Sequence, residues 1–247
     1  SALLFDTRIM ALIPIFTIFF IFFLKSLKSN EYLIKNLKFI IFFIPITLFF
    51  IFLFWPYIWN DPINNFLFGF AELLSVESSI TSLYLGEFIL SKNAPWHYQV
   101  VWIVVTSPVI IILLFVLGLF FSTRRLFNRL IVVDKKSNEL WRGENEITDI
   151  YFMLMTLLPI FLFINKGIGY DGWRQLYFIY PSIILISIFG IYYLNLFLKS
   201  RLFKIIIYSA IIFNLTYLTF WNYKFHPHQY VYFNFLFKDK FDNNFEK

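Results

Sequence analysis

Four short segments of this 247-residue chain carry the side chains that could do chemistry. Asp6-Thr7-Arg8 sets a guanidinium beside a carboxylate at the start of a hydrophobic run. Such an Arg serves either as an interfacial anchor or as a cation for a phosphate group, because charge is tolerated near a membrane surface far better than at its centre. Tyr84-Leu85-Gly86-Glu87, followed by Asn93-Ala94-Pro95-Trp96-His97-Tyr98, joins a carboxylate, an imidazole that titrates near neutral pH and large aromatic faces. It reads either as an aromatic belt with a solvated Glu87 or as a surface that stacks on sugars and holds isoprenoid chains. Gly167-Ile168-Gly169-Tyr170-Asp171-Gly172-Trp173-Arg174 puts Asp171 and Arg174 three residues apart. If a helix begins near Asp171, Arg174 lies in its first turn, where a cation opposes the helix dipole and an anion such as phosphate would offset the mismatch. The plainer reading is a local Asp–Arg pair that closes the turn. His226-Pro227-His228, leading into Gln229-Tyr230-Val231-Tyr232-Phe233-Asn234, is weak as a metal site, since two imidazoles lack a third ligand. A packed polar-aromatic cap is the better expectation there.

The elements that must position these segments are set by the text between the charges. Six stretches contain no Asp, Glu, Lys, Arg or His: between Arg8 and Lys25, Lys38 and Asp61, His97 and Arg124, Asp149 and Lys166, Arg174 and Lys199, and Lys204 and Lys224. A bilayer core takes roughly 20 apolar residues of helix, and in hydrocarbon the backbone must satisfy its own hydrogen bonds, so these stretches are expected to be helices. The expected fold is an all-α polytopic bundle of about six spans, near 9–25, 38–58, 99–122, 149–165, 175–198 and 203–222. It forms one unit over 1–222, with an outward tail over 223–247. Within the long connection 56–97, Asp61-Pro62 reads as an N-cap followed by proline at the first helical position. Apolar residues at helical spacing then predict an amphipathic interfacial helix near 62–75, with a second short helix near 79–91.

Composition agrees with a membrane protein. Hydrophobic residues make up 60% of the chain, against about 45–50% in soluble domains. Cysteine is absent, which excludes disulfides and thiolate metal sites. The net charge of +6 is no mark of nucleic-acid binding, because of where it lies. Of 21 Lys and Arg, 13 fall in segments 25–38, 123–149 and 199–204, whereas connections 56–97 and 166–174 carry only Lys92, Lys166 and Arg174. That alternation is the positive-inside pattern. It predicts cytoplasmic basic loops and places the four polar segments at the outer face. There is no phosphate-cradling Gly-rich loop, no ATP-binding signature and no Ser/His/Asp order.

In order along the chain, Trp55-Pro56, Asp61-Pro62, Tyr84-x-Gly86-Glu87, Pro95-Trp96-His97-Tyr98, Thr106-x-Pro108, Tyr170-Asp171-Gly172-x-Arg174, Pro181 and Gln229-Tyr230-Val231-Tyr232-Phe233-Asn234 resemble the C-terminal membrane half of bacterial family 39 glycosyltransferases. These are relatives of the protein O-mannosyltransferases, in the membrane-embedded GT-C class. The resemblance covers residues 1 to about 245. It implies transfer of a sugar from a polyprenyl-phosphate donor to a protein, lipid or glycan acceptor at the outer face of the bacterial inner membrane. The polyprenyl-phosphate sugar is the donor substrate it implies, and no metal ligand or cofactor site is assigned. The general base of such enzymes sits in an outer loop of N-terminal helices that this chain does not contain, so the chain is expected to be part of a longer protein. On this resemblance Arg8 and Arg174 are the leading phosphate contacts, and Asp171 orients Arg174 or binds sugar hydroxyls. Glu87, Trp96, His97, Tyr98 and Tyr170 line the substrate site. A flippase for lipid-linked sugars, or another transporter, is the rival expectation. It would need ionisable groups deep in its spans, and these spans are nearly free of charge.

Overall fold

The computed structural model describes residues 12–27, 30–74, 80–131, 143–166, 169, 171–227, 232–236 and 245. The chain is mostly helical, with eight α-helices among the described residues. They are α1 (Leu12–Ser26), α2 (Asn30–Phe54), α3 (Pro62–Leu74), α4 (Tyr98–Thr106), α5 (Val109–Ile131), α6 (Glu144–Lys166), α7 (Tyr180–Phe197) and α8 (Arg201–Lys224). Five stretches are long and apolar enough to cross a membrane: Ile34–Phe54, Val109–Arg129, Asn145–Ile164, Arg174–Phe197 and Arg201–Lys224. Ile13–Ser26 is a shorter apolar helix. By helix length and hydropathy this is a multi-pass membrane protein. Its large exposed residues, such as Phe42, Ile46 and Phe49 on α2 and Phe213 and Phe220 on α8, are the surface that lipid covers.

The chain divides into two compact units, 1–78 with 129–159 and 79–128 with 160–247. In the first unit α1 and α2 form a helical hairpin. Phe22 meets Phe39 and Phe19 meets Phe43 edge to face. Near the connection, Asn36 Nδ2 donates to the Phe22 carbonyl and the Ser26 hydroxyl at 3.0 and 2.9 Å. The fully buried Thr17 lies 3.0 Å from Met155 Sδ on α6. The α2 helix ends at Phe54 rather than near residue 58, because Pro56 disfavours helical geometry at Trp55 and opens a 3-10 turn over Pro56–Ile58. The predicted interfacial helix is present as α3. Asp61 caps it, accepting from the Asn64 amide at 3.3 Å, and Pro62 opens it. Phe66 packs on Ile51, Ile58 and Trp55. Gly69 clears the Trp55 indole, where a Cβ would come within 2.9 Å. Ile63, Leu67 and Phe68 remain exposed.

In the second unit α5 and α7 cross at very close range. A Cβ at Gly118 would run into the Ile186 carbonyl, and one at Gly190 into the Leu114 carbonyl and the Gly118 amide. The Ser187 hydroxyl spans the same contact, 2.8 Å from the Ile183 carbonyl and 3.1 Å from that of Ile111. Small residues that let two backbones touch are the usual means of association where lipid offers no hydrophobic drive.

Three expectations about this unit are corrected. The second helix expected near 79–91 is a β-hairpin, β1 (Thr81–Tyr84) against β2 (Glu87–Leu90), antiparallel with Tyr84 opposite Glu87. Leu85 and Gly86 both take positive φ, 51° and 88°, as a tight two-residue hairpin turn requires. The span expected over 99–122 is broken at Ser107-Pro108 into α4 and α5, since Pro108 has no amide to continue the ladder. The fifth span begins as a 3-10 helix over Arg174–Ile179 and becomes α-helical only at Tyr180.

Candidate functional site

The second unit gathers most of the chemistry-bearing segments around the N-terminal half of α4. The hairpin brings Tyr84 onto His97 and Tyr98. The Tyr84 hydroxyl lies 2.6 Å from His97 Nδ1, and its ring is centred 4.8 Å from that of Tyr98. Tyr84 and Tyr98 are buried. Burial, with the Tyr98 hydroxyl adding to it, pushes the Tyr84 phenol up to about 12, so it stays protonated across physiological pH. This contact engages Nδ1 of the ring and leaves Nε2 on its opposite edge. Trp96 stands edge-on to His97 and is exposed, as is Glu87 at the start of β2.

The loop before the fifth span docks on this surface through glycine. The Gly169 amide donates to the Ser91 carbonyl at 3.0 Å, and a Cβ at Gly169 would press on Ala94 and the Tyr98 ring. Asp171 and Gly172 follow in the left-handed region, at φ 54° and 61°. Asp and Gly are among the residues that adopt it at least cost, and Gly172 lies flat over the Trp102 indole, where a Cβ would come within 3.2 Å. The turn this makes brings the Arg174 amide to the Asp171 carbonyl at 3.3 Å and the Arg174 guanidinium to the Asp171 carboxylate at 3.6 Å. Both side chains are more than half exposed, 66% for Arg174 and 51% for Asp171. The pair therefore closes the turn, as the plainer reading expected, yet leaves the guanidinium facing outward at the head of a 3-10 helix. An exposed pair of this kind stabilises the fold by little. Its cation is accessible to an incoming anion.

The structure therefore brings together Glu87, Trp96, His97 and Tyr98 on one side and Asp171 and Arg174 on the other, through contacts of their backbones and neighbours. Arg8 and Tyr170 lie outside the described residues. His228, Gln229, Tyr230 and Val231 do so as well. Among the described residues no group of three His, Asp or Glu could hold a metal ion.

Four more residues join this surface: Trp102 and Phe245 lie outside the segments singled out from sequence, while Trp173 and Asn234 lie within them without an assigned role. Trp102 is buried beneath Gly172, and Trp173, also buried, donates from Nε1 to the Thr106 hydroxyl at 2.7 Å. Phe245 is buried with its ring 5.1 Å from that of Trp102 and edge-on to Tyr84. Asn234, also buried, spans the broken helix. Its amide N donates to the Val105 carbonyl at 3.0 Å, and Nδ2 to the carbonyls of Val104 and Ser107 at 2.6 and 3.1 Å. The one signal available was Thr106-x-Pro108, because a proline inside a span announces carbonyls that need new donors. Two buried polar atoms here, Trp102 Nε1 and Ser107 Oγ, have no hydrogen-bond partner among the described residues.

Comparison with protein-family models, with curated proteins and with solved structures gives no match. The chemistry of the site accordingly rests on its own geometry: a cation held at a membrane face by a carboxylate, beside aromatic rings and a phenol–imidazole pair.

Proposed function

We propose that this chain is part of a membrane glycosyltransferase of the family 39 type. It transfers a sugar from a polyprenyl-phosphate donor to a protein, lipid or glycan acceptor at the outer face of the bacterial inner membrane. The observation that carries the reading is the joining of the two outer connections. Gly169 on Ser91 and Gly172 on Trp102 set the Asp171–Arg174 turn against the segment that presents Trp96, His97 and Tyr98. The ordered motifs described above support the family.

A glycosyl phosphate is activated because its leaving group already carries negative charge. The transition state gathers positive charge on the sugar and further negative charge on the departing phosphate. A cation fixed at that phosphate stabilises the transition state more than the ground state. We assign that task to Arg174, which pairs with Asp171 at 3.6 Å. The family resemblance gives Arg8 the same task, and that residue lies outside the described residues. Aromatic faces suit the sugar and the prenyl chain. His97, with Nδ1 engaged by Tyr84, has Nε2 left for a hydrogen bond with a sugar hydroxyl or phosphate oxygen. The carboxylate that deprotonates the acceptor hydroxyl is expected from the rest of the protein, not from Asp61, Glu87 or Asp171.

The test is sugar transfer from labelled polyprenyl-phosphate sugars in membranes expressing the complete reading frame. Arg174→Ala is expected to lower transfer on the order of 100-fold or more, the cost of losing one preorganised charge contact, with membrane insertion intact. Unchanged transfer would reject the assignment of Arg174. Donor movement across the bilayer without transfer would identify a flippase instead.

A further inference from the structure

We propose that Asn234 is a positioning residue for the Asp171–Arg174 turn, acting across the broken span through Thr106 and Trp173. The functional part of this inference rests on the glycosyltransferase reading; the structural part stands without it.

The argument begins with the backbone. In a continuous helix the Val104 carbonyl would accept from residue 108, and the Val105 carbonyl from residue 109. Residue 108 is proline, and Ser107 turns the chain into extended geometry, so neither bond forms. Carbonyls left bare in an apolar setting are destabilising. Asn234 supplies both missing donors, Nδ2 to Val104 and the backbone amide to Val105, and Nδ2 also reaches Ser107. Its own Oδ1 accepts from the Leu236 amide at 3.2 Å, which fixes the amide orientation.

Thr106 lies between the clamped carbonyls. Its hydroxyl donates to the Trp102 carbonyl at 2.7 Å, which spends its only hydrogen and aims a lone pair outward. That lone pair accepts from Trp173 Nε1. Trp173 precedes Arg174 and follows Gly172, whose backbone rests on the Trp102 ring. The turn that presents Arg174 is thus held at two points, both on the last turn and a half of α4. The position of that turn is set by Asn234, a residue 127 or more positions away in sequence from the carbonyls it clamps.

The experiment follows the seven Trp indole resonances of 15N-labelled protein in detergent micelles, with Trp173→Phe identifying the Trp173 signal. Asn234→Asp keeps size and acceptor but removes the side-chain donors. Thr106→Val keeps shape but removes the acceptor of Trp173. Both are expected to shift the Trp173 indole signal and speed its hydrogen exchange, while Asn234→Gln restores it in part. In transfer assays both should lower kcat on the order of 10- to 100-fold, the penalty for misplacing a catalytic group by about 1 Å. An unmoved Trp173 signal in folded Asn234→Asp protein overturns the inference. If Asn234→Asp does not fold, Thr106→Val decides alone, since an unmoved signal there breaks the proposed link. Shifted signals in both variants, together with no sugar transfer by the wild-type protein, would reject the glycosyltransferase reading and leave the positioning in place.

Discussion

At the residue scale the Tyr84–His97 pair is the most specific piece of chemistry in the described chain. Burial holds the phenol protonated, and its hydroxyl engages the imidazole at Nδ1. Because the folded state raises this phenol to about 12, against about 10 in an unfolded chain, the fold binds the proton more tightly than the unfolded chain does. The stability this contributes is fully present below about pH 10 and is lost as pH rises towards and through 12. Tyr232, raised to about 12 by burial and by the Tyr217 and Tyr180 hydroxyls, acts in the same direction. The thermal midpoint in detergent is therefore expected to fall across this alkaline window, and Tyr84→Phe should make the fall shallower. An identical pH profile in the variant would mean that Tyr84 does not titrate as its burial requires. The same variant frees His97 Nδ1 and should weaken any phosphate or sugar contact made through Nε2.

At the scale of elements, two devices carry predictions. The first is the hairpin turn, where Leu85 occupies a left-handed position at φ 51°. A branched side chain there costs roughly 1–2 kcal/mol, and Leu85 is half exposed and packs little. Leu85→Asn, a residue that tolerates this conformation, is expected to raise stability by about 1 kcal/mol, read as a higher thermal midpoint; a lower one would show that the Leu85 side chain matters more than the turn. The second is the α5–α7 crossing. Gly118→Ala puts a methyl against the Ile186 carbonyl and is expected to cost about 1–3 kcal/mol, as overpacking does. Leu113→Ala, on the exposed side of the same helix, serves as a near-neutral control. These devices also show what a sequence can carry. Spans are legible because charge-free runs of their length have one use, and α3 was legible from Asp61-Pro62 and its helical spacing. The hairpin was missed because Ile80, Leu83 and Phe88 suit either period and Leu is a poor signal for a positive φ. The break at Pro108 was not legible within the span expected over 99–122, since the donors that stabilise a full interruption come from Asn234, far along the chain. Asp171 and Arg174 could be paired from spacing alone, but not their support by Trp102, Trp173 and Thr106, which exists only in three dimensions.

At the scale of the whole molecule, the reading depends on which way the chain lies in the membrane. Helix lengths and hydropathy establish that it crosses, and the charge pattern supplies a direction. Segments 25–38, 123–149 and 199–204 hold the bulk of the basic residues, and the connections that carry the candidate site are nearly free of them. On our proposal, retention of Lys and Arg on the cytoplasmic side would put Glu87, Trp96 and Asp171 outside. Polyprenyl-phosphate sugars presented at the outer leaflet would meet the Arg174 guanidinium there. The absence of cysteine makes the orientation directly measurable, because each introduced thiol is the sole target in the chain. Glu87→Cys and Asp171→Cys, both exposed, are expected to react with a membrane-impermeant maleimide on intact spheroplasts. Arg124→Cys and Lys199→Cys, also exposed, should react only after the membrane is opened. The reverse pattern would place the site in the cytoplasm and sink transfer at the outer face, whatever Arg174 does in an assay. Labelling of Glu87→Cys from one side and Asp171→Cys from the other would conflict with the Gly169–Ser91 and Gly172–Trp102 contacts that join the two connections, and with them the site itself.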